Sequence, residues 1–103
     1  MIVSYNHVLM LSGILFVLGM LATVARRNLI MVVLGLEIML NAAAVAFVGA
    51  SLRWQLLDGQ ALVIFIIAVA ATEVSVGLAL VVAAYRRTGS VDPGQLEEKE
   101  AGA

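Results

Sequence analysis

A chain of 103 residues, 63% hydrophobic and 13% charged with a formal net charge of −1, has room for one domain and too few charges to solvate a folded surface. Soluble domains are about 45–50% apolar, so this composition, with a mean hydropathy of +1.09, excludes the soluble globular class and leaves lipid as the main solvent. Zero cysteines exclude a disulfide framework and a Cys-based metal or iron–sulfur site, the single His7 excludes a histidine cluster, and no basic nucleic-acid patch or Gly-rich phosphate loop is present.

Taken in order, Met1 to His7 is a short polar-tinged segment whose Tyr5 and His7 suit a membrane interface. No Lys or Arg precedes the apolar run and no small-residue cleavage site follows it, so the run is expected to stay as a first helix and not to be a signal peptide. Residues 8–25 carry no charge and are long enough to span a bilayer. Gly13 and Gly19 within them predict close helix contact, because small residues let membrane helices approach. Arg26-Arg27-Asn28 forms a turn so short that the first two helices must be antiparallel neighbours.

The second span, residues 29–52, is roughly 36 Å long at the helical rise per residue. It holds Gly35, Glu37, Asn41, Ala42, Ala43, Ala44, Ala46 and Gly49. Arg53 to Gln60 reads as a polar loop with Trp54 as an interfacial anchor. The third span, residues 61–85, carries Ala68, Ala70, Ala71, Thr72, Glu73, Ser75 and Gly77, small and polar residues expected to pack tightly against other helices. The expectation is an all-α integral membrane protein: a domain of three transmembrane helices over residues 1–87, and a mobile, acidic, water-exposed tail over 88–103.

Arg26, Arg27, Arg86 and Arg87 flank helix ends on one side of the membrane, against only Arg53 on the other. The positive-inside rule therefore predicts a cytoplasmic turn and tail, with the N-terminus and the Trp54 loop outside.

Glu37 and Glu73 are the residues that most demand a function. Carrying a charge into hydrocarbon costs at least about 2.5 kcal/mol, which makes an intramembrane glutamate a functional hypothesis by default. A carboxyl group withdrawn from water has its charged form disfavoured, so neutral and ionised forms become comparably accessible and the group can carry a proton. Centring each span on its own length puts Glu73 near the midplane and Glu37 roughly 6 Å closer to the arginine side, so the two are expected at staggered depths, bridged by water or by another subunit. The bland reading is that each glutamate is permanently protonated, or paired with a partner's lysine, and only fixes assembly.

Other candidates carry less. Arg26 and Arg27 read first as topology signals and headgroup ligands, with influence on the cytoplasmic approach to Glu37 as a supporting role. Asn41 shares a helix face with Glu37 and is a candidate hydrogen-bond partner for it, or else an interhelical contact. His7 reads as interfacial, and the five methionines as packing.

Several stretches together resemble the K subunit of proton-pumping NADH:quinone oxidoreductase, the small three-helix membrane subunit of respiratory complex I. They are His7 with Leu9–Gly13, Ile14-Leu15-Phe16 and Gly19; Arg26-Arg27-Asn28; Leu36-Glu37-Ile38-Met39-Leu40-Asn41-Ala42; Asp58-Gly59-Gln60; and Ala70-Ala71-Thr72-Glu73 with Gly77-Leu78-Ala79. The likeness covers about residues 7–87, and the order and spacing of the pieces are more specific than any one of them.

The resemblance implies that Glu37 and Glu73 are the membrane glutamates of the proton pathway and that Arg26 and Arg27 are the turn arginines associated with activity. It implies a chain in the cell inner membrane with no cofactor of its own, the flavin, iron–sulfur clusters and quinone belonging to other subunits. The implied neighbours are a J-type subunit and an antiporter-like subunit. Thr72 departs from the alanine usual in such proteins and adds a hydroxyl beside Glu73, and nothing is carried over to the tail. The alternatives are the small subunit of a multi-subunit cation/proton antiporter and a structural assembly subunit. A stand-alone drug/proton exporter fits poorly, since those resemble four-helix chains with a carboxylate in the first span.

Overall fold

In the computed structural model, which describes residues 3–25 and 27–102, the described residues form four helices: α1 (Tyr5–Ala25), α2 (Leu29–Trp54), α3 (Asp58–Thr88) and α4 (Pro93–Gly102). The first three are each long and apolar enough to cross a membrane, as the sequence predicts. They run further than the expected spans because a backbone entering the interface keeps its hydrogen bonds most cheaply by staying helical. The expected polar loop of residues 53–60 shrinks to Gln55–Leu57. Arg53 and Trp54 complete α2, and Asp58 opens α3, where a carboxylate in the first turn complements the helix dipole.

The helix ends are specified locally. Asn28 caps α2, its side-chain Oδ1 accepting the Ile30 N–H at 2.9 Å. Gln55, at φ 55°, and Gly89, at φ 72°, end α2 and α3 in the left-handed region and return their N–H groups to Ser51 and Tyr85. Trp54 meets the ring of Tyr5 edge-on at 5.4 Å, with the Arg53 guanidinium 5.9 Å from the indole. That cluster joins the start of α1 to the end of α2.

α2 is the central helix; α1 and α3 each pack on it far more than on each other. Gly35, Ala42 and Gly49, spaced by seven, lie buried along α2; Gly35 faces Gly19 and Ala42 faces Ser12 of α1, also spaced by seven, while Gly49 meets Val8 and Tyr5. A seven-residue repeat keeps one seam in contact along two gently supercoiled helices. The backbones nearly touch here: a Cβ on Gly19 would lie 2.7 Å from the Gly35 carbonyl oxygen. Ser12 Oγ donates to the Ala42 carbonyl at 2.6 Å inside this seam. Gly13, expected to mark a contact, faces open space instead.

α3 packs less closely. Its buried residues are Val81 and Ala84, near its C-terminal end, while Ala68, Ala71, Thr72 and Ser75 are exposed. The tight packing expected around its middle is therefore not made within this chain. Thr72 and Ser75 return their hydroxyls to the Ala68 and Ala71 carbonyls of their own helix, each at 3.0 Å. Beyond Gly89, where a mobile end is expected, the chain turns back and forms α4, with Val91 C=O accepting the Leu29 N–H at 2.8 Å.

Candidate functional site

The register of α3 on α2 sets the site. A Cβ on Gly77 would lie 3.2 Å from Val33 Cγ2, and one on Gly59 would lie 2.7 Å from Ser51 Oγ, so these pairs face each other across antiparallel helices. Four residues from Val33 and four from Gly77, counted toward the Trp54 end, stand Glu37 and Glu73. The two carboxyl-bearing residues are thus level, which corrects the expected stagger. Centring each span separately assumed that surplus length is shared between both ends. Here α2 and α3 meet evenly at the Trp54 end, and the extra turns of α3 all project on the arginine side.

Both glutamates line one groove of about 800 Å³ between α2 and α3. The rest of its wall is almost wholly apolar: Leu29, Val32, Val33 and Leu36 from α2, and Phe65, Val69, Val76 and Leu80 from α3 among others, with Thr72 the remaining polar group. On α2 the lining residues recur at the spacing of one helical face, and that face points at α3 because the Gly35 seam points at α1.

Neither glutamate is buried by this chain alone. Glu37 is half-buried and Glu73 is exposed within this chain, so whatever withdraws Glu73 from water lies outside it. Three helices with α2 in the middle leave the outer side of α3 uncovered, and only lipid or another protein can enclose it.

The other predicted residues lie apart. Asn41, one turn from Glu37, is exposed and outside the groove wall, and among the described residues no hydrogen bond joins it to Glu37. Arg27 is exposed at the turn, ten residues from Glu37 or about 15 Å of helical rise, with its Nε 3.5 Å from Asp92 Oδ1. Arg26 lies outside the described residues. Among the described residues no group of three or more His, Cys, Asp or Glu is arranged to hold a metal ion. The sequence reading missed the Arg27–Asp92 pair and the cap at Asn28. An asparagine directly before an apolar run is a helix-start signal that would have given the cap, whereas nothing local announces the ion pair.

The family model for NADH-ubiquinone/plastoquinone oxidoreductase chain 4L matches residues 7–100. A protein named NADH-quinone oxidoreductase subunit K 2, from Syntrophobacter fumaroxidans, is 64% identical over 102 residues, covering 99% of this chain and 90% of its own length. Subunit K 1 from Geobacter metallireducens is 48% identical over 99 residues, covering 95% and 97%. Subunit K from Nitrosospira multiformis is 51% identical over 90 residues, covering 87% and 88%.

Proposed function

The chain belongs to the NADH-ubiquinone/plastoquinone oxidoreductase chain 4L family, and on that premise we propose that it is a membrane subunit of an NADH:quinone oxidoreductase in which Glu37 and Glu73 relay protons. The observation that carries the relay is their level placement on one otherwise apolar groove. Two carboxyl groups facing a water-poor space can hold a proton and pass it between them through a bridging water, with no other titratable group on the wall to divert it. Purely structural glutamates would have no need to face a common space at a common depth.

In this reading the redox centres, flavin, iron–sulfur clusters and quinone site, belong to other subunits, and this chain contributes proton movement to translocation coupled to quinone reduction. The exposed side of α3, Glu73 included, is closed by a neighbouring membrane subunit, with a J-type and an antiporter-like subunit as the flanking partners. The chain sits in the cell inner membrane with its N-terminus outside and the turn and tail in the cytoplasm. Arg26 and Arg27 support the cytoplasmic approach to Glu37.

The test is Glu37→Gln and Glu73→Gln, alone and together, in membranes normalised to assembled complex on a native gel. Gln keeps size and hydrogen bonding and removes the titratable proton. Glu37→Gln is expected to nearly abolish NADH-driven quinone reduction and proton pumping, with Glu73→Gln harmful but milder. Glu37 ranks first because its surroundings are built by this chain, whereas those of Glu73 depend on a neighbour. Normal pumping in both single variants and the double variant would leave only a structural role.

A further inference from the structure

The segment that follows α3 is tied to the α1–α2 turn at three points. Val91 C=O accepts the Leu29 N–H at 2.8 Å, Asp92 Oδ1 faces Arg27 Nε at 3.5 Å, and Gly94 sits so close to the Arg27 guanidinium that a Cβ there would overlap Nη2. The Asp92 carboxylate is itself held, accepting the Gly94 N–H at 2.8 Å, while the Asp92 N–H donates to Ser90 Oγ at 3.0 Å. A fourth tie secures α4, where Lys99 Nζ donates to the Arg87 carbonyl near the end of α3, a favourable place for a cation.

The Leu29 tie matters most. The first N–H groups of a helix have no partner within the helix. Asn28 covers that of Ile30, and the returning chain covers that of Leu29. Leu29 is also a wall residue of the carboxylate groove, at its arginine end. The returning segment therefore joins the end of α3 to the start of α2 at the arginine end of that groove.

We infer that residues 90–94 form a latch over the α1–α2 turn, in which Asp92 is a positioning residue that holds Arg27 and so fixes the Leu29 end of the groove. The latch is releasable. Its ion pair is solvent-exposed, with the two side chains 74% and 37% accessible, and such pairs are weak and screened by salt. Its consequence for proton entry rests on the relay reading above, but its existence does not.

The experiment is hydrogen–deuterium exchange by mass spectrometry on the assembled complex, following the turn peptide that contains the Leu29 amide. The forms compared are the native chain, Asp92→Asn, Asp92→Glu, and a chain ending at Gly89. Asp92→Asn is expected to speed exchange by about twofold to fivefold, the range of an exposed ion pair, and to abolish its salt dependence, with Asp92→Glu close to native. The shortened chain should exchange Leu29 at the rate of a free amide. Unchanged exchange in both Asp92→Asn and the shortened chain would overturn the latch. Faster exchange with an unchanged ratio of protons pumped to quinone reduced would overturn its hold on the groove. Neither outcome touches the glutamate substitutions, whose pumping defect stands or falls separately.

Discussion

Glu37 and Asn41 show how far residue spacing carries. Four residues apart on a helix means neighbours on one face, and the sequence predicts as much. A helix face is broad, however, and the groove wall on α2 ends at Glu37, leaving Asn41 exposed beyond it. Asn41→Leu, which removes the amide and keeps similar bulk, is therefore expected to leave most NADH-driven proton pumping intact where Glu37→Gln does not. Pumping measured in membranes at equal complex content checks this, and loss matching that of Glu37→Gln would bring Asn41 into the path. Glu73 carries the complementary lesson. Its type and mid-helix position are plain in the sequence, but its exposure depends on which side of α3 is left without a partner.

Between elements, the α1–α2 pair is the strongest contact of the molecule, and it is made by absent side chains as much as present ones. A Cβ at Gly35 would lie 2.6 Å from the Gly19 carbonyl oxygen and 2.9 Å from the Thr23 amide nitrogen, both backbone atoms that cannot step aside. Gly35→Val is accordingly expected to force the helices apart at a cost of about 1–3 kcal/mol, the range of overpacked cores. The check is a lower melting temperature of the purified complex, or less of the chain in assembled complex on a native gel, with Gly13→Val as a control that faces open space. A Gly35→Val chain as stable as Gly13→Val would show that this seam relaxes. The α2–α3 contact varies along its length: a Cβ on Gly59 would lie 2.7 Å from the Phe47 carbonyl oxygen, whereas one on Gly77, in the groove wall, would lie 3.2 Å from a Val33 side-chain carbon and meet no backbone. The looser packing at Gly77 leaves room for the groove.

At the scale of the whole molecule, α2 divides α1 from α3, and most large apolar side chains remain exposed, from Leu9 and Ile14 on α1 to Phe65 and Leu80 on α3. In water such a surface would aggregate, whereas in a bilayer lipid tails solvate it as well as a core would. The arginines at the turn and at the end of α3 predict an orientation, with the turn and tail on the cytoplasmic side. A cysteine at Ala101, an exposed position in a chain without cysteines, should react with an impermeant maleimide in inverted vesicles and not in intact cells. This position is preferable to Ser90, which is half-buried and bonded to Asp92. Labelling in intact cells would reverse the orientation.

The sequence by itself determined the class of solvent, the three spans, the connection at Arg27-Asn28 and the two glutamates as the residues to watch. Each follows from local composition: an uncharged run long enough to cross, a polar break, a carboxylate where hydrocarbon makes one costly. It also carried the seam in outline, since Gly19, Gly35 and Gly49 were visible as small residues, though Gly13 looked no different from them. Only the tertiary structure decided that Glu37 and Glu73 stand level, that one groove takes both, that Glu73 is left exposed on its wall and that the tail returns to Arg27. These depend on the register and rotation of one helix against another. That register is set by contacts such as Val33 on Gly77, between residues 44 positions apart, and no local pattern records which residue of one span will meet which residue of the next.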